Sequence, residues 1–252
     1  MKIVHRVARK VRSILNHDIY RKLYEAHAAL NPEPEAVGSG PYDLIGKIEL
    51  DLLRTEGLVP SHTLFDLGCG NGRLAVHAVP YLIAGAYIGT DVSGRLLAEA
   101  QERLSQRGGP GQCKVTWQVQ KSVAIALPDQ SVDVMCAFSV FTHIEHEDTF
   151  QYLLEARRVV RPGGKFVFSC LPLELPAAQD EFRKQASLEF GKRWAQVRNI
   201  VTSRDLINEM ARMAGWEVVR WYAGNEQNIH GTDGTPAALG QSSCILSVPQ
   251  LK

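Results

Sequence analysis

Short apolar runs alternate with amphipathic segments along most of the chain, and this pattern predicts alternating strands and helices. Helical spacing of apolar residues is clearest after Ser93, which is followed by Leu96, Leu97, Ala100 and Leu104. Regular alternation of this kind favours a parallel sheet with helices on both faces. Seven apolar runs are predicted as strands, at 64–67, 86–91, 115–119, 132–138, 165–170, 216–221 and 243–248. The helix that contains Val76 and Val79 is predicted to stop at Pro80, and a turn is predicted at 161–164.

Two stretches are longer than a plain connection needs, and we predict that they are substrate-side insertions. The first, 172–202, carries Phe182, Phe190 and Trp194 among charged residues. The second, 224–241, is rich in groups that form hydrogen bonds, which suits a polar substrate such as a sugar. A solvated hairpin is the alternative interpretation of the second stretch.

Residues 1–30 form a third pattern, in which apolar residues at helical spacing alternate with Lys and Arg. A membrane-surface helix, an organelle transit peptide and a helix packed on the domain all fit this pattern. We predict an N-terminal basic amphipathic helix and loop at 1–41, a main domain at 42–252, and membrane-surface contact through 1–22 as the alternative to packing.

Composition narrows the class of protein. The chain has 252 residues, 45% of them hydrophobic, and a formal net charge of +1, so nothing in the overall charge favours a nucleic-acid partner. No apolar run reaches the length of a membrane span. Its five cysteines are scattered without zinc spacing, which predicts reduced thiols and no metal site. Reduced thiols are typical of a cytoplasmic protein, and we predict that location. The protein would be peripheral to the membrane if the N-terminal helix binds there.

The most informative stretch is Asp66-Leu67-Gly68-Cys69-Gly70-Asn71-Gly72, which follows an apolar run and precedes a helical pattern. Glycines at this position let the backbone approach a ligand closely. The dinucleotide fingerprint needs its third glycine at Arg73, and the P-loop needs Gly-Lys-Ser/Thr, so neither motif fits. A second acid, Asp91, ends the next predicted strand about 20 residues later, where a carboxylate accepts from ribose hydroxyls.

Together, the acid-glycine motif and Asp91 resemble the cofactor motifs of class I S-adenosylmethionine (SAM) methyltransferases. Arg161-Pro162-Gly163-Gly164 before a strand is similar to a further signature of that fold. The resemblance covers about residues 42–248 and implies a Rossmann-like α/β fold. That fold is a three-layer αβα sandwich with a mostly parallel seven-stranded sheet of order 3-2-1-4-5-7-6, its last strand antiparallel. SAM is the implied cofactor.

The same resemblance implies which residues line the cofactor. The segment from Phe138 to His143 corresponds to the part of the family that lines the methionine end of SAM. Relatives often carry an Asp for the adenine amino group where this chain has Lys121, so Gln120 or a backbone carbonyl takes that role here. The predicted cofactor-binding residues are Asp66, Leu67, Gly68, Cys69, Gly70, Gly72, Asp91, Val92, Gln120, Ser122, Val123, Phe138 and Ser139.

Three titratable residues, His143, Glu145 and His146, follow the fourth predicted strand, at the sheet edge where open α/β sheets bind ligands. A neutral His143 there could take the proton of an attacking hydroxyl, and we name these three as the catalytic candidates. The alternative is that His143 only positions its loop. Two histidines three positions apart lack a third metal ligand, so no metal is predicted.

These features predict transfer of a methyl group from SAM to a small polar acceptor, favouring a hydroxyl of a sugar, glycan or lipid-linked metabolite. No Asn-Pro-Pro-Tyr-like motif of the nucleic-acid N-methyltransferases follows the fourth strand, so methylation of RNA is the runner-up. A third interpretation is a SAM-binding subunit that supports a partner enzyme without turnover of its own.

Overall fold

A computed structural model describes residues 40–195 and 197–249, together with Lys22, Glu25 and Ala26. The predicted N-terminal helix and its membrane contact therefore lie outside the described residues. Among the described residues, no helix combines the length and apolar character needed to cross a membrane.

The centre of the molecule is a mixed sheet in which seven main strands run in the order β3-β2-β1-β4-β5-β10-β7. The first five of these strands pair in parallel, whereas β10 is antiparallel to both of its neighbours. The bounds are β1 Thr63–Leu67, β2 Ala86–Asp91, β3 Lys114–Val119, β4 Val132–Ala137, β5 Val160–Pro172, β7 Glu217–Tyr222 and β10 Ser242–Ser247.

Three two-residue strands complete the set. Strand β6 (Val201–Thr202) pairs with the end of β5, and β8 (Ile229–His230) pairs with β9 (Pro236–Ala237) in a separate hairpin. The predicted polar loop at 224–241 thus contains a small hairpin. The order expected for the main strands is confirmed, because the sixth and seventh predicted strands correspond to β7 and β10.

Seven helices are described, and they cover both faces of the sheet. They are α1 Tyr42–Thr55, α2 Ala75–Tyr81, α3 Gly94–Gln106, α4 His146–Val159, α5 Pro176–Ser187, α6 Phe190–Trp194 and α7 Arg204–Met213. Helices α1 to α3 contribute buried residues such as Leu52, Ala78 and Leu104 to one core. Helices α4 and α7 contribute Leu153 and Ile207 to the other, which gives the three predicted layers.

Two local predictions need correction. The helix expected to stop at Pro80 continues to Tyr81, with Pro80 inside it. The expected turn at 161–164 lies within β5 as a bulge, because Val132 pairs with Val160 while Val134, only two residues on, pairs with Lys165. Gly163, at φ +77°, supplies the left-handed backbone conformation that this bulge requires.

All five cysteines are buried and unpaired. Burial raises the pKa of every one of these thiols above its ordinary value. The thiols therefore act as small apolar side chains within the two cores.

Candidate active site

The glycine loop, residues 68–72, follows β1 at the point where the strand order reverses between β1 and β4. The β4 loop, residues 138–145, follows β4. Gly68, Gly70 and Gly72 have φ values of +70°, +53° and +85°. A Cβ at Gly68 would overlap Cγ2 of Val140, which follows β4. Side chains are thus excluded by backbone conformation and by the close approach of the β4 loop. An open crevice for a ligand is expected at such a reversal of strand order.

Asp91 ends β2 and faces this loop. Its side chain is buried, and its Oδ2 accepts a hydrogen bond from the Gly70 backbone N–H at 3.0 Å, while Oδ1 accepts from the Ser93 N–H at 2.8 Å. Burial raises the pKa of Asp91 to about 6, and the hydrogen bonds from Ser93 and Gly70 oppose that rise. The glycine loop and Asp91 therefore lie side by side, which the prediction that Asp91 binds the ribose requires.

Asp66, at the end of β1 before the glycine loop, is buried. Its carboxylate accepts hydrogen bonds from the Tyr87 hydroxyl at 2.6 Å and the Cys136 thiol at 3.5 Å. Burial raises the pKa of Asp66 to about 6. Glu49 of α1 is also buried nearby, and desolvation raises its pKa to about 8, opposed by the charge of Arg73. Asp66 thus links β1 to β2 and β4, and its direct contact with a cofactor stays a prediction.

Tyr42 links α1 to the glycine loop, a role that the sequence pattern did not indicate. Its hydroxyl donates to the Asn71 carbonyl at 3.0 Å. The guanidinium groups of Arg73, Arg103 and Arg107 lie 5.2 to 5.9 Å from the centre of its ring. Burial raises the pKa of Tyr42 to about 12, so it remains a neutral donor.

The segment after β3 is shaped by Gln120. Its side-chain nitrogen donates to the carbonyls of Ser122 at 2.6 Å and Ala124 at 3.1 Å, and its backbone N–H donates to the Asp91 carbonyl at 2.8 Å. Lys121 is exposed and Val123 half-buried. Gln120 therefore holds this segment beside Asp91, and the predicted adenine contacts of Gln120, Ser122 and Val123 remain predictions.

A closed ring of hydrogen bonds fixes the backbone just after β4. Ser139 has a φ of +56°, a conformation uncommon outside glycine. Its backbone N–H donates to Ser169 Oγ at 2.8 Å, Ser169 Oγ donates to Gln241 Oε1 at 2.6 Å, and Gln241 Nε2 donates to Ser139 Oγ at 3.0 Å. This ring ties together the ends of β4 and β5 and the residue before β10. Phe138, the preceding predicted cofactor residue, is buried.

His143 lies on the same β4 loop, where its Nδ1 is 2.8 Å from the carbonyl oxygen of Arg198. A carbonyl oxygen only accepts hydrogen bonds, so Nδ1 carries the hydrogen. In the neutral ring this leaves Nε2 as the basic nitrogen. The loop geometry thus selects the tautomer that a general base acting through Nε2 requires.

Arg198 also holds the second catalytic candidate. Its Nη1 lies 3.0 Å from Glu145 Oε1, and its guanidinium lies 4.2 Å from the ring centre of Trp194. His146 begins α4, and its buried Nε2 has no hydrogen-bond partner among the residues that the structure describes. Among the part of the chain that the structure describes, no group of three His, Cys, Asp or Glu could hold a metal.

Four functional candidates were missed from the sequence, namely Tyr42, Ser169, Arg198 and Gln241. Each acts through a partner between 29 and 102 positions away. The sequence signals for two of them were indirect, since Arg198 and Gln241 lie in the long insertions predicted at 172–202 and 224–241.

Comparison with known proteins identifies similar chains. Residues 64–164 match a family described as "Methyltransferase domain". A ubiquinone/menaquinone biosynthesis C-methyltransferase of Acidiphilium cryptum is 30% identical over 187 residues, 64% of this chain and 69% of that protein. A probable methyltransferase of Aspergillus luteorubrus is 33% identical over 106 residues, which are 40% of this chain and only 37% of that relative.

The fold has solved counterparts. Magnesium protoporphyrin IX methyltransferase from Synechocystis, crystallised with bound S-adenosylhomocysteine (SAH), aligns over 97% of this chain and 99% of its own, with a TM-score of 0.60 and 16% identity. At that identity the likeness concerns the fold.

Proposed function

The chain belongs to the class I SAM-dependent methyltransferases, and on that premise we propose that it methylates a hydroxyl group of a small polar acceptor. SAM, the cofactor of this family, supplies a methyl group that is already activated by its sulfonium. The protein's contribution is then to hold the acceptor in line with the methyl group and to remove a proton where the acceptor is neutral.

The residues after β1 and β2 fit this cofactor. The glycine loop leaves no room for a side chain at Gly68, and the carboxylate of Asp91 lies beside the Gly70 N–H. A ribose presents two hydroxyl donors, and a buried carboxylate is a suitable acceptor for them. Gln120 holds the segment in which the adenine contacts are predicted.

The observation that carries the proposal is the hydrogen bond between His143 Nδ1 and the Arg198 carbonyl. It makes Nε2 the basic nitrogen at the carboxyl end of β4, the edge of the sheet where ligands bind. A hydroxyl acceptor needs such a base, because its proton must leave as the new bond forms. Glu145 acts with Arg198 in holding this loop, and His146 is the least supported of the three catalytic candidates.

The acceptor class rests on the polar character of the segment after β4. Gln241 Nε2, just before β10, donates to Ser139 Oγ, just after β4, and hydroxyl and amide groups of this kind suit a sugar, a glycan or a lipid-linked metabolite. A lipid-linked acceptor would be reached by a cytoplasmic protein lying on the membrane through 1–22. The relative from Acidiphilium is named for transfer to carbon, so the assay must establish the methylated atom.

The test is transfer of a radiolabelled methyl group from SAM to separate glycan, lipid and RNA extracts, using the full chain. Label in the glycan or lipid extract that is stable to base, as a methyl ether is, supports the proposal, whereas base-labile label marks a methyl ester and contradicts it. Label in RNA alone, or on carbon, contradicts it. No label in any extract, with SAM bound, favours the non-catalytic subunit instead.

His143→Gln tests the role of the base within the same assay. Loss of a general base typically lowers turnover 10²–10⁴-fold, while the affinity for SAM should be unchanged. His62→Gln is the control, because His62 precedes β1 and so lies at the opposite edge of the sheet from His143. Full activity of His143→Gln would show that His143 only positions its loop.

A further inference from the structure

Residues 197–200, here called the strap, lie against the β4 loop and are held to it by two hydrogen bonds. The Arg198 carbonyl accepts from His143 Nδ1 at 2.8 Å, and the Ile200 N–H donates to the Thr142 carbonyl at 2.6 Å. These two hydrogen bonds join consecutive residues of the β4 loop to alternate residues of the strap. The strap is therefore registered on the loop that carries the proposed base.

The side chain of Arg198 also holds this strap in place, through contacts with Glu145 and Trp194. Its guanidinium pairs with Glu145 at 3.0 Å and stacks over Trp194 at 4.2 Å. The carbonyl of Glu145 accepts from the Thr149 N–H, so this residue also begins α4 at its N-cap position. The side chain of Arg198 is mostly buried, at 22% exposure, which strengthens an ion pair relative to a solvated one.

We propose that Arg198 is a positioning residue, which selects the reactive tautomer of His143 by holding its own carbonyl oxygen against Nδ1. The guanidinium, fixed between Glu145 and Trp194, determines where that carbonyl lies. This inference rests on the proposed function, because the Nε2 tautomeric form matters only if His143 acts as a base. It assigns a role to the insertion at 172–202: its last residues complete the site from the acceptor side.

The closing experiment reads the tautomer directly and needs no acceptor. The full chain is labelled with ¹⁵N-histidine, and long-range ¹H–¹⁵N spectra are recorded at a pH at which imidazole is neutral. The signals of His143 are assigned by their loss in His143→Gln. We expect wild type to show the Nδ1–H tautomer, and Arg198→Ala to show a mixture with the Nε2–H form.

Matched variants keep the test decisive. Arg183→Ala removes an exposed arginine of the same insertion and should leave the tautomer unchanged. Glu145→Gln removes the charge of the ion pair without touching Arg198, so it should shift the tautomer in the same direction by less, and Arg198→Lys should restore part of the effect. Either variant also serves if Arg198→Ala fails to fold.

Two results would overturn the inference, namely an Nε2–H tautomer in wild type or an unchanged tautomer in both Arg198→Ala and Glu145→Gln. The proposed function fails separately. If His143→Gln keeps full turnover while the tautomer still depends on Arg198, the positioning contact is real but the base is not His143.

Discussion

Gly70 donates its backbone N–H to the carboxylate of Asp91 at 3.0 Å, so the loop after β1 and the acid that ends β2 form a single unit. A change at Asp91 therefore acts on the cofactor contact and on the shape of the glycine loop together.

Asp91→Ala should weaken the binding of SAM by at least about tenfold, since a hydrogen bond to a charged group contributes roughly 1.5–3 kcal/mol. Isothermal calorimetry with SAM and SAH measures the loss. Asp91→Asn, which keeps one acceptor oxygen, should lie between Ala and wild type. Equal affinity in all three proteins would remove Asp91 from the cofactor site.

The affinity for SAM should also depend on pH through Asp91. Its pKa is raised to about 6 by burial, so the carboxylate becomes protonated as the pH falls through that value and loses acceptor capacity. We expect SAM binding to weaken below about pH 6 in wild type, and Asp91→Asn to reduce that dependence. Calorimetric titrations across this range, with buffers of different ionisation enthalpy, also count the protons exchanged.

Gly68→Ala should destabilise the fold for two separable reasons. A left-handed φ costs an alanine about 1–2 kcal/mol, and its Cβ would overlap Val140. Gly109→Ala is the control for the first cost, because Gly109 has φ +72° but no atom of the described residues within 4 Å of its Cβ position. Urea unfolding should show a larger loss for Gly68→Ala than for Gly109→Ala.

Val140→Ala in the Gly68→Ala background should recover the steric part of that loss. The double variant should lose less unfolding free energy than the sum of the losses of the two single variants, because the two sites touch. Additive effects of the two substitutions would show that the loop moves away from Val140 freely.

Ser169→Ala should remove the centre of the hydrogen-bonded ring after β4. It leaves the Ser139 N–H without its acceptor, and an unsatisfied buried donor costs about 1–3 kcal/mol of unfolding free energy. Turnover should fall as well, because the ring fixes the start of the β4 loop that carries His143. Ser187→Ala on α5 is an exposed control whose hydroxyl only bonds its own helix end. Wild-type stability of Ser169→Ala would mean that Ser139 finds another acceptor.

Glu49 should make the stability of the protein fall as the pH rises. Burial raises its pKa in the folded state to about 8, against an ordinary value of 4.5, so the folded state binds an extra proton between these values. In that window the unfolding free energy attributable to Glu49 decreases by up to about 1.4 kcal/mol per pH unit, and above about pH 8 the decrease ends. The contribution is fully present below the unfolded pKa.

Glu49→Gln should therefore unfold with a flatter pH dependence than wild type between about pH 5 and 8. Urea unfolding at several pH values measures it. Glu189→Gln, on a side chain that is 79% exposed, should leave the wild-type profile unchanged. Parallel profiles for Glu49→Gln and wild type would contradict the assignment.

Local patterns were enough to predict the strands and the position of the glycine loop beside Asp91. Each predicted strand is an apolar run bounded by turn residues, and the glycine loop is a contiguous motif whose backbone requirements are local. Asp91 could be found because it ends the neighbouring strand. Sheet order came from family resemblance rather than from periodicity, since an apolar run does not reveal its neighbours.

The acceptor half was harder to predict because its contacts join distant parts of the chain. His143 was identified, but the carbonyl that selects its tautomer lies 55 positions away, and Gln241 lies 102 positions from Ser139. Such pairs depend on how insertions fold back over the sheet, which hydrophobic periodicity does not encode. The turn predicted at 161–164 was a bulge for a similar reason, since pairing with β4 continues on both sides of it.

The rate at which a reagent modifies each of the five buried thiols reports how readily the surrounding structure opens. In the folded state a thiol-reactive reagent must wait for a fluctuation that exposes the sulfur, so the rate of modification measures the free energy of that fluctuation. Cys69 lies within the glycine loop, whereas Cys244 lies in the centre of β10. Comparing their modification rates by mass spectrometry would separate local opening of the loop from global unfolding. A ligand bound to the loop would slow the modification of Cys69 by holding the loop closed, and that of Cys244 by stabilising the whole fold.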